Sequence, residues 1–484
     1  MTKKTVLMAC TALVLALAAC NGNGGDDAPP PVTIDAGTPN TVSIWSETAA
    51  TTVNQPNAAI GTPEERSANY AFDLASVHVA MYDAVVAIAG GRAPLIATPA
   101  APVSGASQEA AAAAGAYTVL RGLFPSRASL YQPTYDASLA SVTDATARER
   151  GVAVGTEVGT AVLAARANDG RITALPTFVA GVAPGQYRGP GTVGRSWPFV
   201  RTFALTSAGQ FRAAGPNALT SPAYAADFAE TASLGAASSG ARTAAQATSA
   251  RFHSEPPTFF WPRNFRPLMM RPQSLAENAR IGAMLWASHA DAIIACFESK
   301  WLYLHWRPFS AIPLGTDDGN PQTTADPAWT PFLPTPGHPE YPAAHGCAAG
   351  AAGETIARYF GTRQVSFELS STVSGSTQRY ADIDAFIADV TIARIAGGMH
   401  FRRAMVDGEA IGTKSAAWLA EQKMLRRLPA PHGACLAPRT PGAPRLSAQF
   451  DRLGRRRSPA PLRPCAGPGA AAGGRHLFGV ASSA

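Results

Sequence analysis

Helical spacing of apolar residues runs through most of this chain and strand-like alternation is scarce, so the fold class is constrained before any single residue is considered. The longest periodic stretch covers 274–306; others cover 69–89, 108–123, 144–166, 341–360, 377–395 and 404–425. Residues 365–373 (VSFELSSTV) alternate well enough for a short β-hairpin arm, and 177–203, rich in Gly and Pro, reads as a long loop. The pattern predicts an all-α architecture without an internal repeat. With 484 residues, two packed helical bundles are expected rather than one. The proline-rich segment 256–272 (PPTFFWPRNFRPLMMRP) is read as the crossing into a second half at 270–425.

The chain ends differ from this body. Lys3 and Lys4 precede an apolar run from Thr5 to Ala19 that closes on Leu17-Ala18-Ala19-Cys20. That is the pattern of a secretory signal, and the cysteine at the cut makes it resemble a bacterial lipoprotein signal. The run is too short for a good membrane span. On this reading 1–20 is the signal, Cys20 carries the lipid anchor, and 21–44, beginning NGNGGDDAPPP, is a flexible tether to a domain at 45–425. The expected location is the bacterial cell envelope, periplasmic or outer-membrane, with membrane contact through the anchor only.

From Arg426 onward ten arginines face a single acid, Asp451, in a segment of Pro, Ala, Gly and Arg without apolar periodicity. The tail 426–484 is therefore expected to be disordered. It is either a basic arm for an acidic partner or high-GC coding sequence translated past a frameshift. Its arginines lack the aromatic interleaving of a nucleic-acid arm, which favours the second origin and argues against nucleic acid as a partner. Because the tail holds the excess, the formal charge of +7 leaves the body close to neutral. Cys10 and Cys20 lie in the leader, Cys435 and Cys465 in the tail, and only Cys296 and Cys347 in the body. Export would permit a disulfide between them; buried free thiols are the alternative.

Three pieces of the body carry the chemistry: KWLYLHWRP from Lys300, PEYPAAHG from Pro339 and RIAGGMHFR from Arg394. They supply one lysine, three arginines and three of the chain's 9 histidines, equipment for gripping an oxyanion and moving protons on it. Lys300 and Arg307 are seven apart, so a continuous helix would put them within about 20° of one face, with His305 about 200° from Arg307 and outside the pocket. Arginine offers a planar fork and lysine a point charge. Pro339 and Pro342 precede a strong helix former, and backbone N–H groups at a new helix N-terminus bind anions. His345 sits at that edge. Arg394 and His400 would lie about 120° apart on an unbroken helix, so Gly397 and Gly398 are read as ending it and turning His400 inward. Arg402 and Arg403 are read as solvated charge, and His78, Tyr82 and Asp83 as helix packing.

In order and internal spacing these pieces resemble the vanadium-dependent haloperoxidases, within the wider type 2 phosphatidic-acid-phosphatase superfamily; KWLYLHWRP looks much like the first motif of the fungal chloroperoxidases. The likeness extends loosely over 64–425. It implies vanadate on His400, neutralised by Lys300, Arg307, Arg394 and the Ala344 N–H, with His345 as the base and Lys300 polarising hydrogen peroxide toward halide. Phosphate would occupy the same site. Two departures stand out: Pro342-Ala343-Ala344-His345 replaces the family's Pro-Ser-Gly-His, removing a hydroxyl that bonds the oxyanion, and Ala393 stands where many relatives have serine. Losing one neutral hydrogen bond costs on the order of 1 kcal/mol. His338 occupies the position that is histidine in bromoperoxidases and phenylalanine in chloroperoxidases, which makes it a halide-site candidate and bromide the favoured halide; an exposed loop histidine is the alternative. The resemblance thus implies a peroxidase acting on hydrogen peroxide and a halide or small organic substrate. An acid phosphatase with His400 as nucleophile, and a silent oxyanion-binding lipoprotein, are the competing readings. The oligomeric state is left open.

Overall fold

The periodicity of 274–306 resolves into one long helix, Leu275–Tyr303, buried along most of its length and capped by the Ser274 side chain at the Glu277 N–H. The computed structural model describes residues 32–35, 37–55, 65 and 69–424. The expected signal with Cys20, the first part of the tether and the tail 426–484 lie outside the described residues. In chain order the helices are α1 (Thr41–Val53), α2 (Tyr70–Ala89), α3 (Gln108–Leu123), α4 (Ala128–Ala140), α5 (Ala145–Arg166), α6 (Pro222–Gly235), α7 (Ala244–Phe252), α8 (Pro257–Phe265), α9 (Leu275–Tyr303), α10 (Pro308–Ala311), α11 (Ala344–Phe360), α12 (Ile383–Ala396) and α13 (Arg402–Leu419).

Helices α1 to α5 pack as a first bundle around α2, while α9, α11, α12 and α13 form the second; α9 against α2 is the wall they share. Helix α2 is apolar and long enough to cross a membrane, yet every residue from Ala71 to Val86 is buried inside the body. Its polar side chains each have a packing task, as the sequence implied. His78 Nε2 meets Ser46 Oγ at 3.1 Å, Tyr82 donates to the Ala93 carbonyl at 3.0 Å, and the Asp83 carboxyl accepts the N–H groups of Leu95, Ile96 and Ala97 at 2.6, 2.8 and 2.8 Å.

Three expectations need correction. Residues 377–380 are strand, not helix: β2 (Val365–Ser371) pairs antiparallel with β3 (Ser376–Tyr380), placing Phe367 opposite Tyr380, and α12 starts only where Asp382 caps the Ala385 N–H. Part of the expected tether is built in, since β1 (Val32–Thr33) adds parallel to β2 and α1 begins at Thr41 under an Asn40 capping box. The proline-rich crossing begins as a helix, because Pro257 falls in the first turn of α8, where a missing N–H costs nothing.

The second bundle is drawn tight where the motifs lie. Helices α11 and α13 approach so closely that a Cβ on Gly412 would sit 2.0 Å from the Cys347 carbonyl oxygen. Cys296 on α9 and Cys347 on α11 are joined as a disulfide, with Cα atoms 6.3 Å apart, tying the helix of Lys300 to that of His345.

Asp83 gives the fold a measurable signature. Burial outweighs its three N–H donors and pushes the carboxyl up to about 7, so the native state keeps a proton that the unfolded chain has lost. Its stabilising contribution is therefore full below the ordinary value of 3.8 and is lost as pH rises through about 7. In urea titrations the stability advantage of wild type over Asp83→Asn should shrink between pH 4 and 7, and Asp83→Ala, which strands three donors, should cost about 3 kcal/mol or more. An advantage that grows with pH would show the carboxylate, not the acid, to be the native form.

Candidate active site

Element ends deliver every chemistry-bearing side chain. Lys300 lies in the last turn of α9, which stops at Tyr303 because Leu304 adopts a left-handed conformation (φ 48°). The chain then runs through His305, bridged to Gln186, and Arg307 precedes α10 in an extended conformation, as Pro308 demands. The expectation that Lys300 and Arg307 share one face of a continuous helix is thus wrong. They converge because the chain reverses between them. His305 stays out of the cavity, its ring 6.4 Å from that of Phe401 and its carbonyl accepting the Glu340 N–H at 3.0 Å.

His345 is the second residue of α11, whose first turn has no side-chain cap because the cap position is Ala343; the N–H of Ala344 lies at this open end. Arg394 occupies the last turn of α12. Helix α12 ends at Gly397, and Gly398 takes φ 76° where a Cβ would stand 2.5 Å from the Gly235 carbonyl, so glycine is required for both reasons. The turn brings His400 inward, as expected from the paired glycines. Arg402 and Arg403 stay at the surface with Glu230 and Asp407.

Arg307 is the hub. Its Nε donates to the His338 carbonyl (3.0 Å), Nη1 to the Met399 carbonyl and His400 Nε2 (both 2.9 Å), and Nη2 to His338 Nδ1 (3.0 Å). Lys300 Nζ donates to the carbonyls of Pro339 (2.9 Å) and Glu340 (3.0 Å). Arg394 Nη1 reaches the His253 carbonyl at 3.0 Å and Nη2 meets Met399 Sδ, while its Nε is buried without a partner among the described residues. The His345 ring bonds the same His253 carbonyl. His338 is 6% exposed and lies against Phe297, which rules out the exposed-loop alternative. His338, Ala344, His345 and His400 line one cavity of about 200 Å³.

Sequence reasoning missed Glu340. Only 1% exposed, its Oε1 accepts His400 Nδ1–H and the Phe401 N–H, both at 3.0 Å. A guanidinium can only donate, so His400 Nε2 accepts from Arg307 and the proton of the neutral imidazole sits on Nδ1, where Glu340 accepts it. His400 is therefore protonated on Nδ1, with a bare Nε2 lone pair held toward Arg307. The signal was present in the motif itself: one acid between Pro339 and Pro342 amid cations. Also unforeseen was the His253 carbonyl that anchors both Arg394 and His345.

The electrostatics are lopsided. Lys300, Arg307 and Arg394 are buried, and among the described residues Glu340 is the one carboxylate acting on Lys300 and Arg307. Burial pushes Arg307 down to about 10 and Arg394 to about 9, the latter aided by Arg307, while burial and then Arg307 hold Lys300 well below the usual ammonium range. Burial raises Glu340 to about 7 against the pull of Arg307. Desolvation holds His338, His345 and His400 well below ordinary imidazole, with neighbouring cations adding to it, so all three are neutral at pH 7. Two buried guanidinium cations and Lys300 opposite one acid, a guanidinium N–H without a partner among the described residues, an open helix N-terminus and an unprotonated imidazole nitrogen fit a tetrahedral or trigonal-bipyramidal oxyanion such as vanadate or phosphate.

The Glu340 assignment has a direct check. In isotope-labelled protein the His400 nitrogen signals should report a proton on Nδ1 and none on Nε2, and Glu340→Leu should weaken that preference to what the Arg307 contact at Nε2 alone sustains. A wild-type His400 protonated on Nε2 would contradict the geometry.

Comparison with known proteins speaks to the second half of the body and to its fold. A sequence family described as the VCPO second helical-bundle domain matches residues 280–427. Vanadium chloroperoxidase of Curvularia inaequalis is 32% identical over 100 residues, a segment covering 18% of this chain and 15% of that protein's length. A solved bacterial vanadium-dependent iodoperoxidase superposes with a TM-score of 0.62 at 18% identity, covering 80% of this chain and 96% of its own. For a holo-type bacterial vanadium-dependent chloroperoxidase the TM-score is 0.61 at 15% identity, with coverage of 80% and 98%. At such identities the structures speak to the fold. Residues 280–427 are similar to the VCPO second helical-bundle domain, and the body of the chain has the fold of the solved bacterial vanadium-dependent haloperoxidases.

Proposed function

We propose that this chain is a vanadate-dependent peroxidase that oxidises halide, bromide in preference, with hydrogen peroxide to hypohalous acid. The observation that carries the reading is the unprotonated His400 Nε2, fixed by Glu340 at Nδ1 and accepting from the buried Arg307 guanidinium at the edge of the cavity. His400 Nε2 would hold vanadate, with Lys300, Arg307, Arg394 and the Ala344 N–H around its oxygens. When bound, vanadate supplies a Lewis-acidic centre that activates hydrogen peroxide for two-electron oxidation of halide. The residues' own work is electrostatic and protonic. Lys300, Arg307 and Arg394 spread negative charge without reorganising, since the carbonyls of His338, Pro339, Glu340 and Met399 already hold the first two in place. Neutral His345 takes a proton from peroxide on the ring nitrogen that does not face the His253 carbonyl. His338, buried beside Arg307, is the proposed halide-side residue. Export and lipid anchoring through Cys20 complete the proposal, resting on the leader pattern alone.

The same Glu340–His400 pair would suit a phosphatase, with Nε2 as nucleophile and His345 protonating the leaving group. One set of assays separates the readings. Vanadate-loaded protein given hydrogen peroxide and bromide should brominate a phenolic dye, with phosphate as a competitor; His400→Ala should abolish this, and His345→Ala should lose turnover while keeping bound vanadate. Restoring the hydroxyl with Ala343→Ser should tighten oxyanion binding up to about tenfold. Apoprotein that hydrolyses aryl phosphates but oxidises no halide after vanadate loading would hand the case to the phosphatase. Silence in both assays would leave an oxyanion-binding protein.

A further inference from the structure

The cavity that His338, His345 and His400 reach is polar at that end only. Its other walls are apolar, the rings of Tyr70, Trp197, Trp261 and Phe297 together with aliphatic side chains such as Val193 and Ile293. The rings come from four separate elements, namely α2, the turn Trp197–Phe199, α8 and α9, and none belongs to the three chemical motifs. The rings are fixed. Trp197 packs on Phe297 with centroids 4.2 Å apart and edge-on to Phe72 at 5.7 Å. Trp261 is held by Phe260 and Phe265 at 5.2 and 5.1 Å, and the Tyr70 hydroxyl is engaged by His289 Nε2 at 3.0 Å, leaving its ring for the cavity.

Away from the histidine end, such walls offer no hydrogen bond to a hydrated halide or to peroxide, whose desolvation would go uncompensated there. They suit a flat apolar ring, which gains from area removed from water and from edge or offset contacts with the aromatic walls. Size agrees: a protein cavity of about 150 Å³ lined by apolar side chains admits benzene, and this one measures about 200 Å³ with the histidine end included.

We propose that the aromatic part of this cavity is a binding subsite for a one-ring aromatic organic substrate, seated with its polar substituent toward His345 and His400. The subsite rests on the peroxidase reading only for the role of its occupant, the acceptor of the halogen; the binding itself does not. A bound acceptor meets the oxidant in a fixed orientation, whereas a freely diffusing one does not.

The test uses 4-methylphenol and the full chain, without vanadate, halide or peroxide, so failure of the peroxidase reading leaves its result intact. Calorimetry should show saturable binding, and the indole signals of Trp197 and Trp261 should move with the same midpoint. Trp197→Ala, which removes a wall, and Ala348→Leu, which fills the cavity from α11, should each weaken binding about fivefold to tenfold. Phosphate titrated into the same variants reports whether the histidine end is still assembled. Absence of saturable binding would overturn the proposal, as would binding unchanged in both variants. Parallel loss of phosphate binding in both variants would also overturn it, because the rings would then be scaffold for the anion pocket rather than a subsite.

Discussion

Everything at the centre of this molecule depends on cations buried with too few counter-charges. Isolated buried charge is costly, and a protein retains it only when each ion is hydrogen-bonded or when a ligand completes the balance. Both conditions meet around Arg307. Its guanidinium donors go to two carbonyls and two imidazoles, none of which carries negative charge, and Glu340 is the single acid set against it and Lys300. Glu340 spends its carboxylate on orienting His400 and the Phe401 N–H. The remaining positive charge has no partner within the described residues, and its natural complement is an oxyanion against His400 Nε2.

The scaffold explains why these groups stay in place. Lys300 and His345 are on helices joined by the Cys296–Cys347 disulfide, Arg394 and His400 flank a turn that only glycine can make, and α13 lies close enough on α11 to exclude side chains at Gly412. Placing the site at helix ends also leaves the N–H groups at the start of α11 available, an arrangement in which Ala343 is the weak point: it neither caps the helix nor supplies a hydroxyl.

Much of this was legible in the sequence because helical periodicity and glycine punctuation are local signals. The boundaries of α2, α3 and α5, the hairpin arm and the inward turn of His400 follow from such signals, and the Lys300, Arg307, His345, Arg394 and His400 set follows from motif spacing with the family resemblance. What could not be read depends on tertiary context. The reversal at Leu304 is a left-handed turn in a residue with no preference for it, so spacing alone places Lys300 and Arg307 on one helix face. The helical pattern of 377–380 was overridden by pairing with β2. Glu340 and the His253 carbonyl act on residues 60 or more positions away, a relation without periodicity.

The central claim is that the buried cations and His400 form an oxyanion site, and ligand-linked stability tests it most directly. Thermal unfolding should shift upward with phosphate and with vanadate, each in a saturable, concentration-dependent manner that follows the binding isotherm, because an anion that binds only the native state stabilises it by mass action. A melting temperature indifferent to both anions would contradict the account.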